Sequence, residues 1–305
     1  MAGLKELRTR IEAIKSTQKI TSAMKMVAAS RLRRVQILVD KNQDYAENLR
    51  RSALRVLTEI ETEESEKGVC YQRPALLQKN STNQRYELYV FSSDRGLCGA
   101  YNSNVAKKAI ERIKQLRQQK KDLKIFCVGK KAYDILRRTF NGLDMTLSNN
   151  LSKDASYPEA AARLAQHILM RFKNHDFDVC ELIHAHFESA ISRTFEIEQV
   201  CPLQLKHQEE NIEGINRFGD AFYDYMPDKL TILEQIVPII FEDTVFQALV
   251  NSAASEHGAR MSSMDNATRN AKKMISDLTL KYNRARQGSI TQELTEIIAG
   301  ANAIS

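Results

Sequence analysis

Residues 261–285 read MSSMDNATRNAKKMISDLTLKYNRA, and a stripe of apolar and small residues runs through Met261, Met264, Ala267, Ala271, Met274, Leu278, Tyr282 and Ala285. Steps of three and four residues, close to a heptad repeat, predict a helix with one seam, and alanine at several seam positions lets a partner helix approach closely. The stretch from residue 239 to 305 contains no proline and only Gly258, Gly288 and Gly300, so the helix is expected to fill it. The partner is expected at the opposite end of the chain. Between Leu4 and Lys67 there is neither glycine nor proline, and Leu4, Leu7, Ile11, Ile14, Ile20, Met24, Val27, Leu49, Ala53, Val56 and Ile60 form a second stripe. At 1.5 Å per residue a helix of about 55 residues is already about 80 Å long, more than a small domain is wide. Two terminal helices in one antiparallel coiled coil is the economical arrangement; the alternative is that each covers a separate globular core.

Between the helices the period changes. Tyr86 to Ser93 (YELYVFSS) and Leu123 to Val128 (LKIFCV) read as strands, and residues 103–120 and 130–139 as helices, which is a βαβ pattern. A polar stretch ends at Pro158, suited to the first turn of a helix running to about Asn174. Val179 to Phe187 and Thr194 to Val200 follow as a hairpin. The expected organisation is a helix over 1–67, a linker over 68–83, a Rossmann-like α/β domain over 84–206, a hairpin or foot over 207–238, and a helix over 239–305.

Composition limits the function. The chain has 305 residues, 43% of them hydrophobic, which suffices for a core, and no run of about 18 apolar residues. Its formal charge of +7 is unevenly placed. Residues 1–34 hold nine Lys or Arg against Glu6 and Glu12, a net of +7, and residues 256–286 hold seven against three acids, a net of +4. The basicity therefore belongs to the terminal helices, which suits an acidic protein surface, a nucleic-acid backbone or an anionic membrane, or else a merely solvated face. The five cysteines are odd in number and form no C-x-x-C pair, so a reduced compartment and no structural zinc are expected.

The chemistry of an α/β enzyme is not legible. There is no Walker or dinucleotide glycine pattern and no G-x-S-x-G elbow. The nearest pattern to a phosphate site is Arg95-Gly96-Leu97-Cys98-Gly99 after the first strand, a possible backbone nest for an anion. His184, His186 and Glu188 share a strand face, a spacing that suits a two-His, one-carboxylate metal site and equally an exposed strand face. Cys98 has no assignable basic partner.

Four longer stretches carry a resemblance: MKMVAASRLRR at 24–34, SSDRGLCGAYN at 92–102, SEHGARMSSMDNATRNAKKMI at 255–275, and YNRARQGSITQELTEIIAGA at 282–301. Together they closely resemble the γ subunits of F-type ATP synthases, end to end and in order, although 130–240 matches mainly in pattern. The resemblance implies a rotor shaft without bond chemistry or cofactor of its own. Its partners would be the α and β subunits of the catalytic head, an ε-type subunit and the membrane ring of c subunits. Proton flow through the ring would turn the shaft, which forces each β site through its states in turn. The family's catch on the β subunit maps to Arg286, Gln287 and Thr291. Its basic face toward an acidic loop of β maps to Met24, Lys25, Arg31, Arg33 and Arg34. Its DRGLCG segment, here Asp94 to Gly99 with Asp94 and Arg95 leading, opens a short helix under a β subunit. At the foot, with Tyr223 nearby, this chain has Tyr225-Met226-Pro227 where the family often has Tyr-Glu-Pro, so the carboxylate of that polar contact with the ring is missing. Neither the chloroplast dithiol insertion nor an equivalent from Cys180 and Cys201 is expected. The start at Met1 directly in the helix favours the cytoplasmic face of a bacterial plasma membrane, with the matrix face of the mitochondrial inner membrane as alternative. A basic coiled-coil nucleic-acid-binding protein is the competing reading; its basic helices lack stacking aromatics.

Overall fold

The computed structural model describes residues 2–68, 70–78, 83–148, 156–190, 192–205 and 225–304. Its elements are α1 (Ala2–Lys67), a single 3₁₀ turn (Ala75–Leu77), β1 (Arg85–Phe91), α2 (Tyr101–Gln118), β2 (Asp122–Val128), α3 (Lys130–Thr139), β3 (Asp144–Leu147), α4 (Tyr157–Lys173), β4 (Val179–Phe187), β5 (Arg193–Cys201) and α5 (Lys229–Ile304). The chain forms two compact units, Met1–Arg31 with Arg260–Ser305, and Leu32–Ala259.

In the larger unit the sheet order is β3-β2-β1-β4-β5, with β1, β2, β3 and β4 parallel and β5 antiparallel to β4. Strands buried on both faces carry near-continuous apolar runs, and β1 and β4 do so. One face, with Leu88, Val90, Ile125, Cys127 and Ile183, is covered by Val105, Ala109, Ile113 and Leu116 of α2 and by Leu136 of α3. The other, with Tyr89, Phe91, Phe126 and Leu182, is covered by Leu164 and Ile168 of α4, Val56 and Ile60 of α1, and Leu233, Val237 and Phe241 of α5.

Each face also carries a buried glutamate held by an arginine of its covering helix. Arg171 of α4 grips Glu87 of β1, its Nε donating at 2.8 Å, and Arg112 of α2 grips Glu181 of β4, its Nε also at 2.8 Å. Arg85 adds a third pair, its Nη2 at 2.8 Å from Asp178. A planar guanidinium suits such two-point contacts. Gly129, between β2 and α3, has φ +114°, and a Cβ there would lie 2.1 Å from the Ser92 carbonyl oxygen, so the crossing of the β1 and β2 ends requires glycine.

Several sequence expectations shift. The strand β3 lies inside the stretch read as polar; as an edge strand it pairs only with β2 and packs only Met145 and Leu147 inward. The C-terminal helix starts at Lys229, not 239, and contains Pro238. Asp228 caps it, accepting from the Thr231 backbone N–H at 2.9 Å, and burial of Leu233 and Val237 on the sheet outweighs the lost Pro238 hydrogen bond. Of the expected foot, residues 207–224 lie outside the described residues. One stretch of α5 is long and apolar enough to cross a membrane, but 61% of it is buried inside the protein, as in a core helix.

Candidate partner interfaces

In the smaller unit, α1 and α5 run antiparallel, with Lys25 against Asp265 and Thr21 against Thr268. The residues of α1 that turn toward α5 are Leu4, Leu7, Ile11, Ile14, Gln18, Thr21, Lys25 and Ala28, in strict steps of three and four. This corrects the expected stripe: Ile20 and Val27 are more than half exposed, as is Met26 between them. On α5 the seam runs through Met264, Thr268, Ala271, Ile275, Leu278 and Tyr282, so Met274 lies outside it and Ile275 within. Polar residues displace apolar ones from α1's seam because they find matched partners there. The Lys25 Nζ donates to Asp265 Oδ1 at 2.6 Å, and the Thr21 and Thr268 hydroxyls lie 2.8 Å apart. The ammonium of Lys25, with Arg269 at 2.8 Å from Asp265, holds that carboxyl below its usual range. A polar pair in a seam specifies register more than it adds stability.

The exposed side of this unit carries several large apolar side chains among its charges. Past about Gly288 the antiparallel register leaves α5 without α1 opposite it, and Ile290, Leu294, Ile297 and Ile298, on one face by their spacing, are all more than half exposed. Arg286, Gln287 and Thr291 lie at the base of this stretch, all exposed, and the Thr291 hydroxyl donates to the Gln287 carbonyl at 2.9 Å. Family resemblance pointed to these three; the adjoining apolar stripe and the outward Ile20, Met26 and Val27 were missed. Their signal was available as apolar residues out of phase with the seam.

The other expected contact residues divide. Arg31, on the smaller unit, is exposed; Arg33 and Arg34, on the larger, are exposed as well. Met24 is half-buried, and Lys25 is turned to Asp265. In the loop after β1, Arg95, Gly96 and Leu97 are exposed while Asp94 is half-buried, its Oδ1 accepting from the Lys130 backbone N–H at 3.1 Å. Ser93, Cys98 and Asn102 turn inward instead: Asn102 Nδ2 donates to Ser93 Oγ at 2.8 Å and to Cys98 Sγ at 3.1 Å. The loop thus presents a short exposed tip on a buried polar anchor, and α2 starts at Tyr101, after the motif and not within it. Tyr223 lies outside the described residues. The Tyr225 hydroxyl points inward, donating to Glu59 at 2.8 Å, whereas Met226 is 82% exposed.

His184 is buried rather than on an exposed face, its Nε2 3.3 Å from Glu198 of β5, while His186 is exposed and Glu188 accepts from Ser192. These three residues do not converge, and among the described residues no cluster of His, Cys, Asp and Glu is arranged to hold a metal ion. Cys180 and Cys201 face each other across β4 and β5 as free thiols, and burial pushes both well up.

A family model described as ATP synthase matches residues 3–304. The ATP synthase gamma chain of Azorhizobium caulinodans is 42% identical over 304 residues, and that of Maricaulis maris 41%, each alignment covering all of both chains. Among solved structures, a chain of the Euglena gracilis mitochondrial ATP synthase (OSCP/F1/c-ring, rotational state 3) aligns with a TM-score of 0.62 at 19% identity, over 99% of this chain and 95% of that one. A chain of the Tetrahymena thermophila central stalk and c ring gives 0.53 at 23%, over 81% and 99%. Full-length identity of this order, on a fold of two long terminal helices around an α/β sheet, means that the chain belongs to the ATP synthase gamma chain family.

Proposed function

We propose that this chain is the central rotor shaft of an F-type ATP synthase and performs no bond chemistry itself. The observation that carries the reading is the pairing of a register-locked helix seam with apolar side chains facing away from it. Ile20, Met26 and Val27 on α1, and Ile290, Leu294, Ile297 and Ile298 on α5, have no place in the seam. Exposed apolar residues grouped in this way call for a surrounding partner. The α and β subunits of the catalytic head fit that role.

Coupling follows from asymmetry. Rotation of a shaft whose sides differ changes its contacts with three otherwise equivalent β subunits, and each β state is populated according to how well it binds the side presented. Arg286, Gln287 and Thr291 are the catch, with the guanidinium able to bond a carboxylate of β at two points. Arg31, Arg33 and Arg34 steer acidic β surfaces, and Lys25 acts chiefly within the shaft through Asp265. The tip at Arg95 to Leu97 meets the underside of a β subunit, with Asp94 holding it to α3. The foot rests on the c ring beside an ε-type subunit, and the exposed Met226 makes its ring contact apolar where a carboxylate would make it polar. The chain is then peripheral to the membrane through its complex, on the cytoplasmic face of a bacterial inner membrane.

ATP hydrolysis by α and β subunits mixed with this chain tests the reading. Activity should require the chain and fall in the Arg286→Ala, Gln287→Ala double variant. No assembly and no change in hydrolysis, under conditions where a known γ subunit acts, would remove the assignment.

A further inference from the structure

The last turns of α1 collect three separate stretches of chain. Glu59 and Glu63, one turn apart, both accept from Lys229, the first residue of α5, whose Nζ lies 3.0 Å from Glu59 and 2.8 Å from Glu63. The Tyr225 hydroxyl donates to the same Glu59, and the Lys229 ammonium stands 5.4 Å from the Tyr225 ring centroid. Tyr71 donates its hydroxyl to Glu63 at 3.1 Å and its backbone N–H to Glu64 at 2.9 Å. Arg73 ties Glu64 and Glu61, at 2.9 Å and 3.2 Å. Beyond it the 3₁₀ turn buries Leu76, whose carbonyl accepts from Leu203 at 2.7 Å.

Partly exposed ion pairs add little to stability, so stability alone does not account for this network. Its geometry is more informative. One ammonium bridging two carboxylates a helical turn apart fixes where along α1 the first turn of α5 sits. Sliding α5 by a fraction of a turn would break both contacts together, since each holds only within about 4 Å. Three residues before Lys229 stands Met226, turned to solvent.

We infer that Lys229, held by Glu59 and Glu63 and backed by Tyr225, is a positioning residue that locks the start of α5 to the end of α1, so that torque entering near Met226 reaches both helices together. The inference rests on the rotor reading. Without the lock, displacement at the foot is absorbed by slip between the two helices, and hydrolysis at the head is no longer matched by proton movement at the ring.

The test uses the complete synthase in proteoliposomes, reading ATP-driven proton uptake against ATP hydrolysis. Lys229→Glu should lower the ratio of pumping to hydrolysis by about threefold or more while hydrolysis persists. Lys229→Met, which removes the charge without adding repulsion, should lower it less and covers the case in which Lys229→Glu fails to assemble. Lys229→Arg should keep the ratio, and Glu63→Lys should restore part of it to Lys229→Glu. If the Lys229→Met complex pumps at the wild-type ratio, or if pumping and hydrolysis fall in step, the lock is refuted while the rotor reading stands. A wild-type chain that supports neither activity refutes both.

Discussion

Removing Glu87 should unlock one side of the sheet. Its carboxylate is 1% exposed and accepts from the Arg171 Nε at 2.8 Å and from the Tyr89 hydroxyl at 3.3 Å. The Arg171 guanidinium also pairs with Asp176 at 3.1 Å and lies 5.4 Å from the Phe126 ring centroid, which itself stacks on Tyr89 at 4.8 Å. Glu87→Ala leaves this guanidinium, only 19% exposed, with its strongest partner gone. Breaking a buried pair from one side costs about 3–5 kcal/mol, whereas replacing both partners by apolar residues of similar size is often neutral. Glu87→Leu combined with Arg171→Met should therefore recover most of the loss, a coupling of about 3 kcal/mol. The chain has no tryptophan, so urea unfolding is followed by tyrosine fluorescence and near-ultraviolet dichroism, to which the Tyr89–Phe126 stack contributes. A loss below about 1 kcal/mol in Glu87→Ala, or a double variant no better than the sum of the single ones, would refute the argument.

Gly129→Ala must move the ends of β1 and β2 apart as well as strain its own backbone, so a loss of about 3 kcal/mol or more is expected, read from the urea midpoint. Burial pushes the Asp243 carboxyl above its usual range against the opposing effects of Asn42 and Arg50. Its folded form holds a proton more tightly than its unfolded form, so Asp243 costs stability as pH rises above its unfolded pKa. Asp243→Asn should accordingly melt higher than wild type at pH 7 and equal to it below about pH 4, near the ordinary aspartate pKa. Asp178 behaves oppositely: burial raises its pKa, but the Arg85 guanidinium and the backbone N–H groups of Arg85 and Gln84 outweigh that and hold it at about 2. Its contribution is complete above the ordinary 3.8 and lost as pH falls toward 2, so wild type and Asp178→Asn should converge over that window in an acid titration of melting temperature.

Much of the fold could be read from residue spacing because the strands of the sheet are long apolar runs and the terminal helices lack breakers. What escaped did so for local reasons. The strand at Asp144–Leu147 has one neighbour and two inward side chains, too few to give a period. The Asp228 cap preceding Thr231 was a readable helix start, but Pro238 masked it. The α1 seam misled because apolar Ile20 and Val27 looked like core, while Gln18, Thr21 and Lys25 occupy the inner positions by finding hydrogen-bonding partners 240 or more residues away or by packing along their aliphatic portions. Partner distances of that kind are invisible to local pattern. Family motifs pointed to Arg286, Gln287 and Thr291, which no composition or period would have singled out. The inward hydroxyl of Tyr225 could not be anticipated, since its acceptor Glu59 lies 166 positions earlier.

Rotation itself is the most direct test of the account. Among the described residues Cys70 is the exposed free thiol, with Cys98, Cys127, Cys180 and Cys201 buried, so a biotin maleimide on the native sequence places one handle beyond the end of α1. With the α and β subunits fixed to a surface and a bead on Cys70, ATP should drive the bead in one direction with three preferred stops per turn. A bead that only fluctuates while the same assembly hydrolyses ATP would contradict the claim that this chain is the shaft.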